Sequence, residues 1–119
     1  MCYRLSEESV YKRICIRDRE ISVRVLKFDN GCFLAISEGS ANRLGAIALA
    51  VKTLDRVETS TLIPSRFGGV LLTLIAQIAA DACQGIALTS LYLFDEVGSD
   101  TAREILDEVK RLLMKQDME

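Results

Sequence analysis

The side chains that most often catalyse reactions are absent or isolated in this sequence. The chain has no histidine, the side chain whose charge changes nearest neutral pH. Its carboxylates fall mostly in predicted turns or on outward faces of predicted strands, where we expect solvent to surround them. Gly39-Ser40-Ala41 does not match the G-x-S-x-G turn of a serine nucleophile. Phe67-Gly68-Gly69 precedes a predicted helix but lacks a phosphate-binding glycine pattern, so a plain turn is the better interpretation. The residues therefore predict no catalytic group and no cofactor.

The four cysteines are the remaining candidates for thiol or metal chemistry. Cys2, Cys15, Cys32 and Cys83 form no C-x-x-C pair, and no histidine completes a zinc site, so no metal site is predicted. Three of them lie in apolar runs, where free cysteine behaves as a small buried hydrophobe. We interpret them as structural, which favours a reducing cytosol or nucleus. The alternative from another class is an enzyme or ligand-binding domain that uses Cys32 or Cys83 with nearby carboxylates.

Length and composition predict one globular domain over residues 1–119, with flexible ends at 1–9 and 116–119. Half of the 119 residues are hydrophobic, and the mean hydropathy is +0.21. The net charge of −2 argues against a nucleic-acid-binding protein, which needs a basic surface. The sequence has no run of about 20 uncharged apolar residues, so no membrane span is predicted. The first 13 residues lack an apolar signal core, so export is not expected. We therefore expect a cytoplasmic protein, which could also be nuclear, with no nucleic-acid or membrane partner.

The first half of the chain has the hydrophobic pattern of strands. Val10–Arg17 and Cys32–Glu38 are predicted strands, and between them apolar residues alternate with polar ones from Ile21. Leu26 and Phe28 break that alternation, which indicates a bulge or a strand covered on both faces. The sequence Asp29-Asn30-Gly31 predicts a tight hairpin, since Asn-Gly suits the positive φ angles of a type I′ turn.

The second half changes from strand to helix periodicity near residue 67. The run 44–54 fits either a strand or a helix, and we favour a strand because turns bracket it. Val57–Ile63 is a short strand, a helix stripe then includes Leu71 and Leu74, Ile86–Phe94 is a central strand, and the chain closes with an amphipathic helix. This order, βββββαβα, predicts an α+β domain in which a roughly six-stranded, meandering antiparallel sheet packs against two helices.

The order of elements and three stretches of sequence resemble the small proteasome assembly chaperones, the family of the third and fourth such chaperones. The stretches are GCFLAISEGSANRLGAIALAV, then TSTLI with LLTLIAQIAADACQG, and ALTSLYLFDEVGSDTAREILDEVKRLL. The resemblance covers the chain from about Val10 to Leu113 and is one of pattern, without a catalytic motif. It implies a non-enzymatic dimeric protein that promotes assembly of the 20S proteasome α-ring by transient binding of α-subunits. It carries over no individual contact residue.

The partner surface is predicted from the loops and from the apolar helix and strand after residue 70. The helix and strand favour a homodimer, or a heterodimer with a related chaperone, that buries on the order of 800 Å² per subunit. The loops Gly39–Arg43, Pro64–Gly69 and Asp95–Asp100 contain Gly, Ser and charged residues that adapt to a partner. The candidate contact residues are Ser40, Asn42, Arg43, Ser65, Arg66, Phe67, Asp95 and Glu96.

A second hypothesis is a dimeric scaffold or regulatory protein of the roadblock or longin type. That fold needs a helix directly after the first hairpin, and only the run 44–54 offers one. The conformation of this run therefore separates the two hypotheses.

Overall fold

A computed structural model describes residues 9–67 and 69–117, with side chains as far as Met114. It contains six strands and two helices in the predicted order. The strands are β1 (Ser9–Ile16), β2 (Arg19–Phe28), β3 (Gly31–Glu38), β4 (Ala46–Lys52), β5 (Val57–Ile63) and β6 (Ile86–Tyr92), and the helices are α1 (Gly69–Cys83) and α2 (Ser99–Asp117). The predicted fold class is confirmed, and the ambiguous run 44–54 contains a strand. Of the ends predicted to be flexible, 1–9 and 116–119, residues 1–8 and 118–119 lie outside the described residues, whereas Ser9 begins β1 and residues 116–117 end α2.

All six strands form one sheet in the order β1-β2-β3-β6-β4-β5. Most neighbours are antiparallel, as expected, but β6 lies between β3 and β4 and runs parallel to β3. The predicted meander is therefore wrong at this point. The physical reason is that β6, which has no charged side chain, gains from a central position with neighbours on both sides. It reaches that position through the crossover formed by β4, β5 and α1.

The sheet contains two tight hairpins, and their turns differ in backbone conformation. The turn between β1 and β2 consists of Arg17 and Asp18, both with positive φ, which is the type I′ signature. The turn between β2 and β3 is as tight as expected, because Phe28 pairs directly with Gly31, but positive φ does not occur at Asn30 or Gly31. Gly31 is needed for space, since a Cβ there would lie 1.9 Å from the carbonyl oxygen of Ile86.

Both helices cover the same face of the sheet. α1 packs on β3 to β6, α2 packs on β1 and β2, and the helices contact each other. The apolar residues of the strands that face the helices form the core with the buried sides of α1 and α2. The core side of α1 is centred on Leu71, Leu72 and Ile75, whereas Leu74, which belongs to the predicted helix stripe, is 41% exposed and lies outside the core of the described chain. Neither described helix is long and apolar enough to cross a membrane.

Candidate protein-binding surfaces

The sheet has one face without a helical cover, which we call the open face. Because side chains alternate along a strand, every second residue of each strand points away from α1 and α2. The apolar members of this set lie in the middle of the sheet and are half-buried or exposed. They are Leu26, Phe28, Phe33, Ala35, Ile47, Leu49, Val51, Ile86 and Leu88. The open face therefore carries a broad apolar centre that neither described helix covers.

One end of the open face contains an apolar groove of about 380 Å³. Phe33 and Leu88 contribute to it from β3 and β6, and Phe28 and Ile86 line it while 54% and 43% exposed. Aromatic and aliphatic side chains at this exposure are typical of sites that a protein partner covers. Leu26 and Phe28 are the residues that broke the strand alternation in the sequence. No bulge is present, because β2 pairs regularly with both neighbours; β2 has apolar residues on both faces, and neither described helix covers the second one.

The three loops predicted to contact a partner meet at one end of the sheet. β3 and β6 run in parallel and end there, while β4 begins and β5 ends there because both are antiparallel to their neighbours. We call this cluster, formed by residues 39–45, 64–67 and 93–98, the loop end. Gly68, part of the second predicted loop, lies outside the described residues. A cleft of about 360 Å³ opens at the loop end, with Arg66 and Phe67 of one loop on one side and Tyr92, the last residue of β6, and Phe94 of the next loop on the other.

The candidate contact residues differ in how free they are to bind. Ser40, Asn42, Arg43 and Arg66 are exposed. Ser65 and Phe67 are half-buried. The Ser65 hydroxyl donates a hydrogen bond to the carbonyl oxygen of Phe67, so these two residues stabilise the conformation of their own loop.

Asp95 and Glu96 are exposed but tied to the fold. The carboxylate and the carbonyl oxygen of Asp95 both accept hydrogen bonds from Arg19, and the Glu96 carbonyl accepts another at 3.1 Å. The structure thus brings the three loops together, although their use as contacts stays a prediction.

A buried ion pair that the sequence did not predict holds the third loop in place. Glu38 is 5% exposed and binds Arg19 through both of its oxygens, at 2.9 and 3.1 Å. The same carboxylate accepts the backbone N–H of Phe94 at 2.9 Å. Gly39, with φ +98, lies so close to the Phe94 ring that a Cβ would meet it at 2.6 Å. Glu38 and Arg19 therefore fix where β6 leaves the sheet.

The first loop is held by serine hydroxyls and carries Arg43 to the open face. Ser37 donates a hydrogen bond to the carbonyl oxygen of Ala41 at 3.0 Å and accepts one from the N–H of Arg43 at 3.1 Å. At its other end, the N–H of Gly45 donates to the Ser90 hydroxyl at 2.9 Å. The guanidinium of Arg43 lies 5.8 Å from the centre of the Tyr92 ring, a cation–π contact.

A second arginine on the open face has a similar aromatic support. The guanidinium of Arg24 lies 4.7 Å from the centre of the Tyr11 ring, its direct partner across β1 and β2. Arg13 donates a hydrogen bond to the Tyr11 hydroxyl and pairs with Glu20 at 2.8 Å. The pKa of Arg13 is raised above its ordinary value by the hydrogen bond to Tyr11 first and by Glu20 second. No pattern in the sequence pointed to Arg24, because its aromatic neighbour lies on another strand.

The described residues offer little for covalent or metal chemistry. Within 9–67 and 69–117, no group of three or more His, Cys, Asp or Glu side chains is placed to hold a metal ion. Cys32 is 4% exposed in the core, with its Sγ 4.0 Å from the carbonyl oxygen of Ala79, so a substrate has no access to it. Cys83 is half-buried at the end of α1, and Cys15 is exposed on the open face. The prominent surfaces of the molecule are suited to binding a protein.

Comparison with known proteins identifies a related fold. No family model matches the chain, and no curated protein sequence matches it. The structure is similar to one chain of a crystal structure of a novel chaperone complex for yeast 20S proteasome assembly, with a TM-score of 0.65 and 14% sequence identity. The match covers 88% of this chain and 98% of the yeast chain. The fold therefore resembles that of a proteasome assembly chaperone over nearly its full length.

Proposed function

We propose that this protein is a non-enzymatic chaperone that helps to assemble the 20S proteasome α-ring in the cytoplasm or nucleus. The observation that carries the proposal is the shared fold with a chain of the yeast chaperone complex, which covers 88% of this chain. The sequence resemblance, which rests on the order of elements and on three stretches, points independently to the same family. The strand at Ala46–Lys52 is at odds with the roadblock or longin scaffold, which requires a helix there.

In this proposal the open face binds a partner chain of similar fold. Six strands about 4.8 Å apart, with seven to ten residues each, give the sheet a plan area of roughly 750 Å². A standard protein interface takes about 600–1,000 Å² from each partner, so sheet-on-sheet contact of this face provides enough area for a stable pair. The apolar centre on β3, β6 and β4 then becomes the interior of the pair, which explains why this face keeps Phe28, Ile86 and Leu88 without a helix above them.

The loop end then binds a proteasome α-subunit. The loop end lies at the ends of the strands and not on the face of the sheet, so it stays accessible when the open face is covered. Its cleft combines Arg66 with the aromatic rings of Phe67 and Phe94, a mixture of polar and apolar groups that suits a moderate, reversible interface. An assembly chaperone must release its subunit, which such an interface permits.

Deleting the gene tests the assembly function directly. Native gels of the deletion strain should show fewer α-ring intermediates or abnormal ones, and the full chain expressed in trans should restore them. A variant with Ile86→Glu on the open face should fail to restore them, whereas Leu74→Glu, equally exposed but on α1, should succeed. Normal ring assembly in the deletion strain would refute the proposed function.

A further inference from the structure

A groove on the open face lies between two arginines that have no acidic partner in the described chain. The groove has a volume of about 210 Å³ and is lined by Arg24, Phe33, Ala35, Arg43 and Leu44, among others, with no carboxylate among the lining residues. Arg13, Arg17, Arg19, Arg56 and Arg111 each pair with a described carboxylate. Arg24 and Arg43 are exposed, and no described Asp or Glu forms an ion pair with either. Two arginines without an ion pair to a described carboxylate therefore border the same groove.

Both guanidinium groups are held by the fold. Tyr11 lies beneath Arg24 at 4.7 Å, and the Tyr11 hydroxyl is itself fixed by Arg13 at 3.3 Å. Arg43 lies over Tyr92, and its backbone is tied to the Ser37 hydroxyl. A guanidinium supported on an aromatic ring keeps its in-plane N–H groups available, and these match the two oxygens of a carboxylate.

We propose that this groove binds a carboxylate side chain on an extended segment of a protein partner. The inference rests on the proposed function and adds the chemistry of the partner surface. Phe33, Ala35 and Leu44 provide an apolar floor for the methylene groups of a glutamate or aspartate and for its neighbours. Arg24 and Arg43 supply the positive charge on either side.

A second copy of this chain fits the groove poorly. The carboxylates on the strands of the open face, Glu20 and Glu58, already pair with Arg13 at 2.8 Å and Arg56 at 3.2 Å. A second open face therefore brings two further unpaired arginines and no free carboxylate. Charge complementarity favours a different chain with an acidic side chain opposite the groove.

The test is a titration of the full chain, labelled with ¹⁵N, with the blocked peptide acetyl-Val-Glu-Val-Glu-Val-Glu-amide. We expect chemical-shift changes at the Arg24 and Arg43 side-chain N–H signals and at the amides of residues 33–37 and 42–44. The Val-Gln version of the peptide should bind about tenfold more weakly, since a charge-assisted pair contributes about that much. Raising the salt concentration should weaken the Val-Glu peptide selectively.

Substitutions distinguish the groove from general electrostatic attraction. Arg24→Gln with Arg43→Gln should reduce binding about tenfold or more, whereas Arg103→Gln, an exposed arginine on α2 without an ion pair to a described carboxylate, should leave it unchanged. Equal binding of the Glu and Gln peptides, or equal loss in all the arginine variants, would overturn the inference. So would inorganic phosphate shifting the same signals as strongly as the peptide, because the groove would then be a general anion site.

The same variants separate this inference from the proposed function. If ring assembly depends on the gene but is fully restored by Arg24→Gln with Arg43→Gln, the proposed function stands and the carboxylate groove is refuted. If ring assembly does not need the gene, the proposed function fails, and the peptide titration still decides the groove.

Discussion

Replacing Glu38 by glutamine should destabilise the fold far more than the same replacement at Glu20. Glu38 is 5% exposed and receives both N–H groups of the Arg19 fork together with the N–H of Phe94. Glutamine has the same shape but only one acceptor atom, so its NH₂ group must face a donor. The side chains of Glu20 and its partner Arg13 are 47% and 39% exposed. Water therefore forms the hydrogen bonds that this pair loses when Glu20 is replaced by glutamine.

The magnitude follows from the bonds that change. A hydrogen bond to a charged group contributes about 1.5–3 kcal/mol, and the Glu38 variant loses one such bond and weakens another. Arg19 keeps the carboxylate of Asp95 and two carbonyl oxygens, which limits the loss. We therefore expect Glu38→Gln to lower the free energy of unfolding by about 2–3 kcal/mol. Glu20→Gln should lower it by less than about 1 kcal/mol, as surface pairs do.

Urea unfolding followed by circular dichroism measures both effects. With a slope near 2 kcal/mol per molar urea, the midpoint of Glu38→Gln should fall by roughly 1–1.5 M, and that of Glu20→Gln by at most about 0.5 M. Hydrogen exchange gives a local check, because the Phe94 amide should exchange faster in Glu38→Gln alone. Similar midpoint shifts in the two variants, with the Phe94 amide still protected, would refute the reasoning about this buried pair.

Substitutions at three further positions test other parts of the fold by the same urea measurement. Thr89→Val should raise the free energy of unfolding by about 1 kcal/mol, because the fully buried Thr89 hydroxyl has no hydrogen-bond partner in the described chain; a loss would contradict this. Gly31→Ala should cost about 3 kcal/mol, since its Cβ would meet the Ile86 carbonyl oxygen at 1.9 Å, and a neutral result would show that this contact relaxes. Asp18, with φ +68, should tolerate glycine within about 0.5 kcal/mol but lose about 1–2 kcal/mol as valine; equal effects would argue against the left-handed turn.

The elements of the fold were predictable because their patterns are local. The change of hydrophobic period near residue 67 and the alternation in β2 depend on residues a few positions apart. The position of β6 was not predictable in this way, since strand order depends on which distant strands pair. The Asn30-Gly31 turn shows the same limit, because Gly31 is required by the approach of Ile86, which is 55 residues away in sequence.

The candidate surfaces were predictable in part. The composition of the loops identified Arg43, Arg66 and Asp95, but their meeting at one end of the sheet depends on the parallel pairing of β3 and β6. The open face left one trace in the sequence, the apolar pair Leu26 and Phe28 on the second face of β2. The packing of both helices on the other face is a feature of the tertiary structure, which no local sequence pattern predicts.

The central claim, that the open face binds a partner chain, is tested most directly by affinity purification of the protein from its own cells. The tagged wild-type chain, Ile86→Glu and Leu74→Glu are compared by quantitative mass spectrometry, after unfolding curves have shown that both variants fold. Because Ile86 is 43% exposed on the open face and Leu74 is 41% exposed on α1, the two changes differ in location and not in burial. We predict that a small chain of the same fold accompanies the wild type and Leu74→Glu and is lost from Ile86→Glu. Recovery of that chain with Ile86→Glu, or its absence from the wild type, would contradict the claim.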